Sequence, residues 1–267
     1  MSEVTKQSKR SILINGLASS GKTTSLDGIL NKQRWGYLSC DAGKPFNYEY
    51  LVDNTEFIEK KVIVATKVPD YITQIDKSPK FDGVIIDTLS MLLNSWISQN
   101  LIGARDTQQQ WLMYSEWVKN MFNQTVASCE VSTIFTSHTM ETRDELGEVV
   151  SVQAAVQGKM LAALSIEAFF NTVIFCKRVS IPKIEKDLAE FGATQDEDGN
   201  WNSMLTITPL ERAIGFKNVF QMHPTATTIH ERIRTPRGMF KPSELYIDNN
   251  VQLVLDRMNE VEAKRNN

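Results

Sequence analysis

The chain has 267 residues, of which 42% are hydrophobic and 23% are charged, and its formal net charge is −3 at pH 7. This composition excludes a disordered chain, and the charge excludes a molecule that attracts nucleic acid over its whole surface. No apolar run approaches the ~20 residues of a membrane-spanning helix, and the first residues lack the apolar core of a signal peptide. The three cysteines stand far apart within or beside apolar stretches, which indicates buried thiols in a reducing compartment. We therefore expect a cytoplasmic protein without a membrane partner.

Apolar, β-branched segments alternate with segments of helical periodicity, which is typical of a parallel sheet with crossover helices. Strands are predicted at residues 11–15, 37–40, 62–65, 83–87, 133–137 and 172–176. Helices are predicted at residues 22–32, 69–76, 89–99 and 109–124. Beyond the sixth strand, short strands at 204–209 and 214–218 predict an antiparallel extension of the sheet, and residues 251–264 predict a closing amphipathic helix.

The first predicted strand leads directly into residues 16–24, Gly-Leu-Ala-Ser-Ser-Gly-Lys-Thr-Thr, which match the phosphate-loop pattern G-x-x-x-x-G-K-[ST] at every fixed position. Such a loop holds a polyphosphate by converging backbone N–H groups at the start of a helix. We expect Lys22 to reach the β- and γ-phosphates, and the Thr23 hydroxyl to help coordinate Mg²⁺. The nucleotide-binding residues predicted from the motif are Gly16, Ser19, Ser20, Gly21, Lys22, Thr23 and Thr24. The alternative is a chance match in a glycine-bearing turn.

A hydrolysing phosphate-loop site also needs an acid at the end of a neighbouring strand, and Asp87 ends the apolar strand 83–87. Asp87 is expected to hold Mg²⁺ through water, and Thr88 to orient that water. The alternative is a strand-terminal Asp that only caps the next helix. Two predicted strands separate Lys22 from Asp87, which by fold analogy indicates the additional-strand division of P-loop ATPases.

These residues resemble the RecA-like ATPases, in particular compact phage-encoded members known as AAA-family or single-strand annealing ATPases. The resemblance covers about residues 10–180 and rests on residues 16–24, Cys40-Asp41, Asp87-Thr88 with the residues after it, and the strand that ends at His138. It implies an α/β fold of the RecA-like P-loop NTPase type, with a mostly parallel central sheet flanked by helices and an antiparallel C-terminal extension. It implies ATP and Mg²⁺ as cofactors, single-stranded DNA and further copies of the chain as partners, and the host cytoplasm if the chain is phage-encoded.

The resemblance also implies a role for the polar residue at the end of the fifth strand. In that family it senses the γ-phosphate, and here it is His138 or Ser137; a mobile loop and a Gly-Lys pair, here Gly158-Lys159, follow it. We expect His138 to be this sensor, although a histidine that only ends the strand is the alternative. The absence of a Pro/Gly/Ser-rich linker favours one domain, with a disordered tail over 1–10, the RecA-like domain over 11–250 and a C-terminal helix and tail over 251–267.

The catalytic carboxylate is where the sequence departs from that family. A glutamate usually stands just past the second strand, where this chain has Asp41 as its nearest acid and Glu49 as a less favoured substitute. Aspartate is one methylene shorter, and a positioning error of about 1 Å costs on the order of 10²-fold in rate. We therefore expect Asp41 to polarise the attacking water in a slow hydrolysis, or a neighbouring subunit to supply a residue.

Two later segments carry opposite charges and favour different functions. The predicted loop 139–157 is acidic, which disfavours contact with a DNA backbone unless the acidic residues form the tip of a hairpin directed away from the DNA. Residues 230–242 are basic, and they form a solvated turn, a clamp on the γ-phosphate or a nucleic-acid contact. We favour Arg234 and Arg237 as nucleotide-binding residues because Pro236 and Gly238 restrict the backbone beside them. Lys177-Arg178 form a second possible contact with phosphate or a neighbouring protomer.

Two functions follow from these observations. The first is a Mg-dependent, ATP-hydrolysing RecA-like protein that acts on DNA in phage-type recombination or single-strand annealing, as an oligomer with nucleotides near subunit interfaces. The alternative is a nucleotide-switched assembly or regulatory protein with little turnover and no direct DNA contact, which the missing glutamate and the acidic loop favour. A small-molecule kinase would need an arginine-rich lid and a second substrate pocket, and neither is evident in the sequence. The absence of a guanine-reading N-K-x-D motif agrees with ATP as the nucleotide.

Overall fold

The computed structural model describes residues 10–41, 64–158, 161, 165–197 and 201–266. The described residues fall into two compact units. The first unit is drawn from Met1–Leu13, Asn31–Ser137 and Ala154–Phe170, and the second from Ile14–Leu30, His138–Gln153 and Asn171–Asn267. The predicted domain boundaries at residues 10 and 250 stay predictions.

The first unit contains the acid-bearing half of the sheet. Its elements are the first half of β1 (Ser11–Gly16), β2 (Trp35–Ser39), α1 (Val68–Asp76), β3 (Gly83–Asp87), α2 (Leu89–Asn100), α3 (Thr107–Asn120) with a π-helical turn at Met121–Val126, and the first part of β4 (Ser132–Arg143). The strand order is β2-β3-β4-β1, and β2 with β3 and β3 with β4 pair in parallel. All five residues of β3 are buried, as expected for a parallel strand that is covered on both faces.

The second unit contains the second half of β1 and the antiparallel extension. Its further elements are the end of β4, β5 (Val149–Ala154), β6 (Thr172–Ser180), α4 (Ile181–Glu190), α5 (Pro209–Ile214), β7 (Phe216–Gln221), β8 (Tyr246–Asp248) and α6 (Val251–Asn266). The order is β1-β6-β7-β8, with β6, β7 and β8 paired antiparallel, and β5 pairs with β4 as a hairpin. Short 3₁₀ segments lie at Thr24–Gly28, Lys32–Arg34, Ala65–Lys67, Ile166–Phe169 and Pro242–Glu244.

This architecture confirms the predicted fold class, a mostly parallel sheet flanked by helices with an antiparallel C-terminal extension. It also confirms that a strand separates the phosphate-loop strand β1 from the acid strand β3. The inserted strand is β4, which follows Asp87 in the chain, and not one of the strands predicted before it. The loop predicted over 139–157 is the β4–β5 hairpin, and its acidic residues lie towards the turn. The predicted strand end at Ser137 is therefore wrong, because β4 continues to Arg143.

Three further element predictions are wrong. The helix predicted over 22–32 is a 3₁₀ segment that ends at Gly28, because Ile29 is extended and Asn31 is left-handed. No strand forms at Val64 or Ala65, where a 3₁₀ turn begins, and residues 62 and 63 lie outside the described residues. The strand predicted over 204–209 is irregular. Its apolar alternation reflects the packing of Leu205 and Ile207 in the cluster beneath α4, and Thr208 and Glu211 form the capping box that starts α5.

Candidate functional site

The phosphate loop of the second unit is tightly curled. Ser19 has φ +60° and Gly21 has φ +96°, so two left-handed residues turn the backbone within three positions. A Cβ on Gly16 would lie 2.5 Å from the carbonyl oxygen of Cys176, and a Cβ on Gly21 would lie 2.6 Å from Nδ2 of Asn249. The motif glycines are therefore required by close approach at both positions and by a left-handed backbone at Gly21.

Lys22 lies at the centre of this loop with 6% of its surface exposed. Its ammonium donates to the carbonyl oxygens of Gly16 at 2.9 Å and Leu17 at 2.8 Å. Nζ is also 3.4 Å from Nδ1 of His138, and a hydrogen bond between them requires Nδ1 to be the unprotonated ring nitrogen. The structure thus brings together Lys22 and His138, which were predicted from separate motifs, and their catalytic roles stay predictions.

Three side chains distant in sequence contact the carbonyl groups of the same loop. Arg178 Nη2 donates to the carbonyl of Ser19 at 3.0 Å, Cys176 Sγ to that of Ser20 at 3.0 Å, and Asn249 Nδ2 to that of Gly21 at 2.9 Å. Sequence analysis missed Cys176 and Asn249, and it assigned Arg178 a different contact. For the Asn249 contact, the sequence signal is the polar pair Asn249-Asn250 directly after the last strand.

Asp87 belongs to the first unit and is 5% exposed. Its Oδ2 accepts a hydrogen bond from the Tyr37 hydroxyl at 2.6 Å, and its Oδ1 accepts one from Thr136. Burial, and next the charge of Asp87, raise the pKa of Tyr37 far above its ordinary value, so this hydroxyl keeps its proton and donates. Asp87 and Thr88 are joined by a cis peptide bond. Thr88, and not Asp87, caps α2 by accepting from the N–H of Met91 at 3.3 Å.

The predicted catalytic base, Asp41, follows β2 in the first unit and is half-buried. The Cys40 N–H donates to the Asp87 carbonyl at 2.7 Å, which ties this segment to the end of β3. Burial raises the pKa of the Cys40 thiol, and the charges of Asp87 and Asp41 raise it further. The role of Asp41 stays a prediction. Glu49 and Lys159 lie outside the described residues.

Arg234 and Arg237, predicted to bind nucleotide, are both exposed in the second unit. The backbone of Arg234 pairs with Val173 of β6 through hydrogen bonds of 2.6 and 2.9 Å. A cavity of about 310 Å³ beside the phosphate loop is lined by loop residues 16–20 and by Lys177, Arg178 and Glu231, among others. Within the described residues, its lining includes neither Arg234 nor Arg237. Their binding role stays a prediction.

Lys177 is the other residue of the predicted basic pair. It lines that cavity and is bound there by two side chains. Its ammonium is 2.5 Å from the Glu231 carboxylate and 2.7 Å from Oε1 of Gln221. Burial lowers the pKa of Lys177 and raises the pKa of Glu231, and the attraction between the two opposes both shifts. Lys177 is therefore a partner of Glu231 in this structure, and Arg178 is the member of the pair that contacts the phosphate loop.

The metal roles of Thr23 and Asp87 stay predictions, and a hydroxyl and a carboxylate are oxygen ligands of the kind that Mg²⁺ takes. No group of three His, Cys, Asp or Glu side chains that could hold a metal occurs in the described part of the chain. A Mg²⁺ ion bound with a triphosphate needs only one or two protein ligands, because phosphate oxygens and water complete its shell. The Asp87 carboxylate is held in position by the hydroxyls of Tyr37 and Thr136, and a carboxylate is an oxygen ligand of the kind that Mg²⁺ takes.

Comparisons with known proteins place the chain among no established family. No family model matches it, and no curated protein sequence matches it. Among solved structures, it is similar to a KaiC-like protein from the hyperthermophilic archaeon Pyrococcus horikoshii OT3, with 12% identity and a TM-score of 0.41 over 89% of this chain and 88% of that chain. A likeness of this size does not define a family, so the fold class rests on the strand pairings. None of the helices in the described residues is long and apolar enough to cross a membrane.

Proposed function

We propose that this chain is a Mg-dependent, ATP-binding and ATP-hydrolysing protein of the RecA-like P-loop type. The observation that carries the proposal is the position of Lys22, whose ammonium is enclosed by the carbonyls of a curled loop with the full phosphate-loop sequence. A buried lysine whose partners are backbone carbonyls can exchange them for phosphate oxygens, which bear a full negative charge. The order β3-β4-β1 supports the RecA-like assignment by fold analogy.

The residues have distinct tasks in this proposal. Bound Mg²⁺ would neutralise the charge that develops on the transferred phosphoryl group. Tyr37 and Thr136 orient the Asp87 carboxylate towards its metal role. Lys22 stabilises the β- and γ-phosphate charge, and His138, which contacts Lys22 from β4, senses whether that ammonium is engaged. Asp41 polarises the attacking water. Because aspartate is one methylene shorter than the usual glutamate, we expect turnover to be slow.

The action on DNA, the oligomeric state and the role in phage-type recombination or single-strand annealing are proposed from the resemblance alone. Arg234 and Arg237 are exposed, as a DNA-binding or nucleotide-clamping segment requires. In the second unit the β4–β5 turn is acidic and exposed, with Asp144, Glu145 and Glu148 and the 88% exposed Leu146 at its tip. Like charges repel a phosphate backbone, so DNA would bind away from this turn.

The acidic turn favours a second candidate function. A hairpin that carries carboxylates and an exposed leucine at its tip suits contact with a protein better than contact with DNA. His138 lies on β4, the strand that leads into this turn, and contacts Lys22. A nucleotide-switched assembly or regulatory protein with little turnover would use this connection to report ATP binding to a partner.

Steady-state ATP hydrolysis with Mg²⁺, with and without single-stranded DNA, tests the proposal. We expect measurable turnover that is lost in Asp87→Ala and reduced in Asp41→Ala. Asp82→Ala is the matched control, since Asp82 forms an exposed ion pair with Arg34 at 2.6 Å and should retain wild-type turnover. Stimulation by DNA would support the recombination function. Tight ATP binding with negligible turnover and no DNA effect would instead select the nucleotide-switched protein, and a chain that binds no ATP would exclude both.

A further inference from the structure

Three consecutive carbonyl groups of the phosphate loop are each bound by a different side chain. Arg178 binds the carbonyl of Ser19, Cys176 that of Ser20 and Asn249 that of Gly21, all at 2.9–3.0 Å. Lys22 binds two further carbonyls of the loop, those of Gly16 and Leu17. Side-chain donors therefore bind five carbonyl oxygens of the loop.

Binding a carbonyl also fixes the N–H of the next residue, because the peptide unit is planar and trans and its C=O and N–H point in opposite directions. The contacts at Ser20 and Gly21 thus orient the N–H groups of Gly21 and Lys22 away from the donors, whereas the N–H of Ser20 donates to the Leu17 carbonyl at 3.3 Å. Where right-handed and left-handed backbone conformations alternate, successive N–H groups form a concave surface that binds phosphate. Ser19, a non-glycine residue at φ +60°, needs such support because this conformation costs roughly 1–2 kcal/mol.

We propose that Arg178, Cys176 and Asn249 form a carbonyl clasp that holds the phosphate loop in its triphosphate-binding conformation before the nucleotide arrives. The proposal rests on the proposed ATP-binding function and assigns these three side chains as positioning residues. None of them needs to touch the nucleotide. A loop that is already ordered loses less conformational freedom on binding, so the clasp raises affinity.

The clasp residues also support one another. The Cys176 thiol is 3.1 Å from Oδ1 of Asn249, and the Arg178 guanidinium contacts Oδ1 of Asn218 at 3.4 Å and lies 4.6 Å from the centre of the Phe216 ring. Burial raises the pKa of Cys176 to about 12, so at neutral pH the thiol keeps the proton that it donates. Arg178 is therefore held in place by further contacts, and the single proton of the Cys176 thiol is shared between the Ser20 carbonyl and Oδ1 of Asn249.

The clasp connects the phosphate loop to the junction between β8 and α6. Asn249 and Asn250 both lie in this junction. Asn250 packs closely against Gly28, since a Cβ on Gly28 would lie 1.9 Å from Oδ1 of Asn250. Gln252, in the first turn of α6, accepts a hydrogen bond from the Leu30 N–H at 3.0 Å. The C-terminal extension thus contacts the chain after the loop through Asn250 and Gln252, and only its Asn249 contact reaches a loop carbonyl and has a direct part in nucleotide affinity.

The test measures the Kd for Mg-ATP by titration with a fluorescent ATP analogue and the Tm without nucleotide, on the full chain. We expect Asn249→Ala and Cys176→Ala each to weaken binding about 10-fold, equivalent to about 1.4 kcal/mol. Cys176→Ser keeps a donor for the Ser20 carbonyl and should recover most of the affinity. Gln252→Ala removes a hydrogen bond of the same junction without touching a loop carbonyl, and its Kd should equal that of the wild type.

The outcomes separate the clasp from the proposed function. If the wild type binds Mg-ATP and Asn249→Ala and Cys176→Ala bind equally well, the clasp is wrong and the ATP-binding function stands. If affinity falls together with Tm in all variants, including Cys176→Ser and Gln252→Ala, the effect is general destabilisation and the clasp is again overturned. A wild type that shows no binding of Mg-ATP overturns the proposed function, and the clasp with it.

Discussion

At the scale of single residues, the acid at the end of β3 depends on two neutral donors. Asp87 is almost fully buried, and the hydroxyls of Tyr37 and Thr136 each donate to one of its oxygens. A buried carboxylate is stable in its charged form only when such donors compensate for the lost water. The two hydroxyls therefore help to hold the Asp87 carboxylate in the position from which we propose that it serves a magnesium ion.

Tyr37→Phe is expected to lower the free energy of unfolding by about 2 kcal/mol, because a hydrogen bond to a charged group contributes roughly 1.5–3 kcal/mol. The same change should raise the Mg²⁺ concentration needed for half-maximal hydrolysis, since Asp87 is then held less firmly. Urea denaturation and a Mg²⁺ titration of activity measure the two effects. Tyr114→Phe is the matched control, because the buried Tyr114 hydroxyl has no hydrogen-bond partner among the described residues and its removal should be neutral or stabilising. Equal losses in both variants would contradict the role of Tyr37.

The buried thiol of Cys176 predicts a loss of stability in alkali. Its pKa is about 12 in the folded chain against 9.0 for the ordinary thiol, and burial is the main cause. A pKa that is raised on folding contributes stability that is complete below about pH 9 and is lost as the pH rises towards 12. The loss approaches about 1.4 kcal/mol for each pH unit within that window.

Urea denaturation at pH 8, 9 and 10 measures this dependence, since tyrosines contribute little below their ordinary pKa of about 10. Cys176→Ser does not titrate, so its stability should fall less steeply than that of the wild type. Cys40 is also buried with a raised pKa, and Cys40→Ser should show the same direction. An unchanged slope in Cys176→Ser would show that this thiol is not protected from ionisation.

At the scale of secondary-structure elements, the helices α2 and α3 of the first unit begin at side-chain caps. Thr88 accepts from the N–H of Met91 at the start of α2, and Asp106 accepts from the N–H of Gln109 at 2.9 Å at the start of α3. Both are common N-cap residues. The two caps differ in position, because Thr88 directly follows Asp87 whereas Asp106 lies on an exposed loop.

Thr88→Ala and Asp106→Ala are therefore expected to destabilise the chain equally, by about 1 kcal/mol each. Only Thr88→Ala should also lower ATP hydrolysis, because it loosens the backbone that carries Asp87. Chemical denaturation and hydrolysis assays on the same preparations make the comparison. Equal hydrolysis in the two variants would limit Thr88 to its capping role and reject its predicted part in orienting the metal-bound water.

At the scale of the whole molecule, charge decides where DNA can bind. The net charge of −3 provides no general attraction, and the acidic β4–β5 turn repels phosphate. The basic segment with Arg234 and Arg237 is the remaining exposed candidate that the sequence singled out. Binding through so few cations should be weak, with a salt dependence that is small because it grows with the number of phosphate contacts.

Fluorescence anisotropy with single-stranded DNA at several salt concentrations measures this dependence. The logarithm of the binding constant falls by about 0.7 per phosphate contact for each unit in the logarithm of salt concentration. Arg234→Ala and Arg237→Ala should each reduce that slope by about 0.7. Arg143→Ala is the control, since Arg143 is paired with Glu141 at 2.6 Å in the acidic turn and should leave the slope unchanged. No change in slope for any variant would place DNA binding elsewhere or exclude it.

The sequence by itself determined the phosphate loop, the acid strand and the fold class, because each depends on neighbouring residues and on local periodicity. Gly16, Lys22 and Asp87 are recognisable from spacing alone. The tertiary structure decided which strand lies between β1 and β3, how the acidic segment pairs into a hairpin, and why residues 22–32 do not form one helix. It also assigned Tyr37 to Asp87 and Asn249 to Gly21. These contacts join residues far apart in the chain, and a hydrogen bond between distant residues leaves no periodic signal in either local sequence.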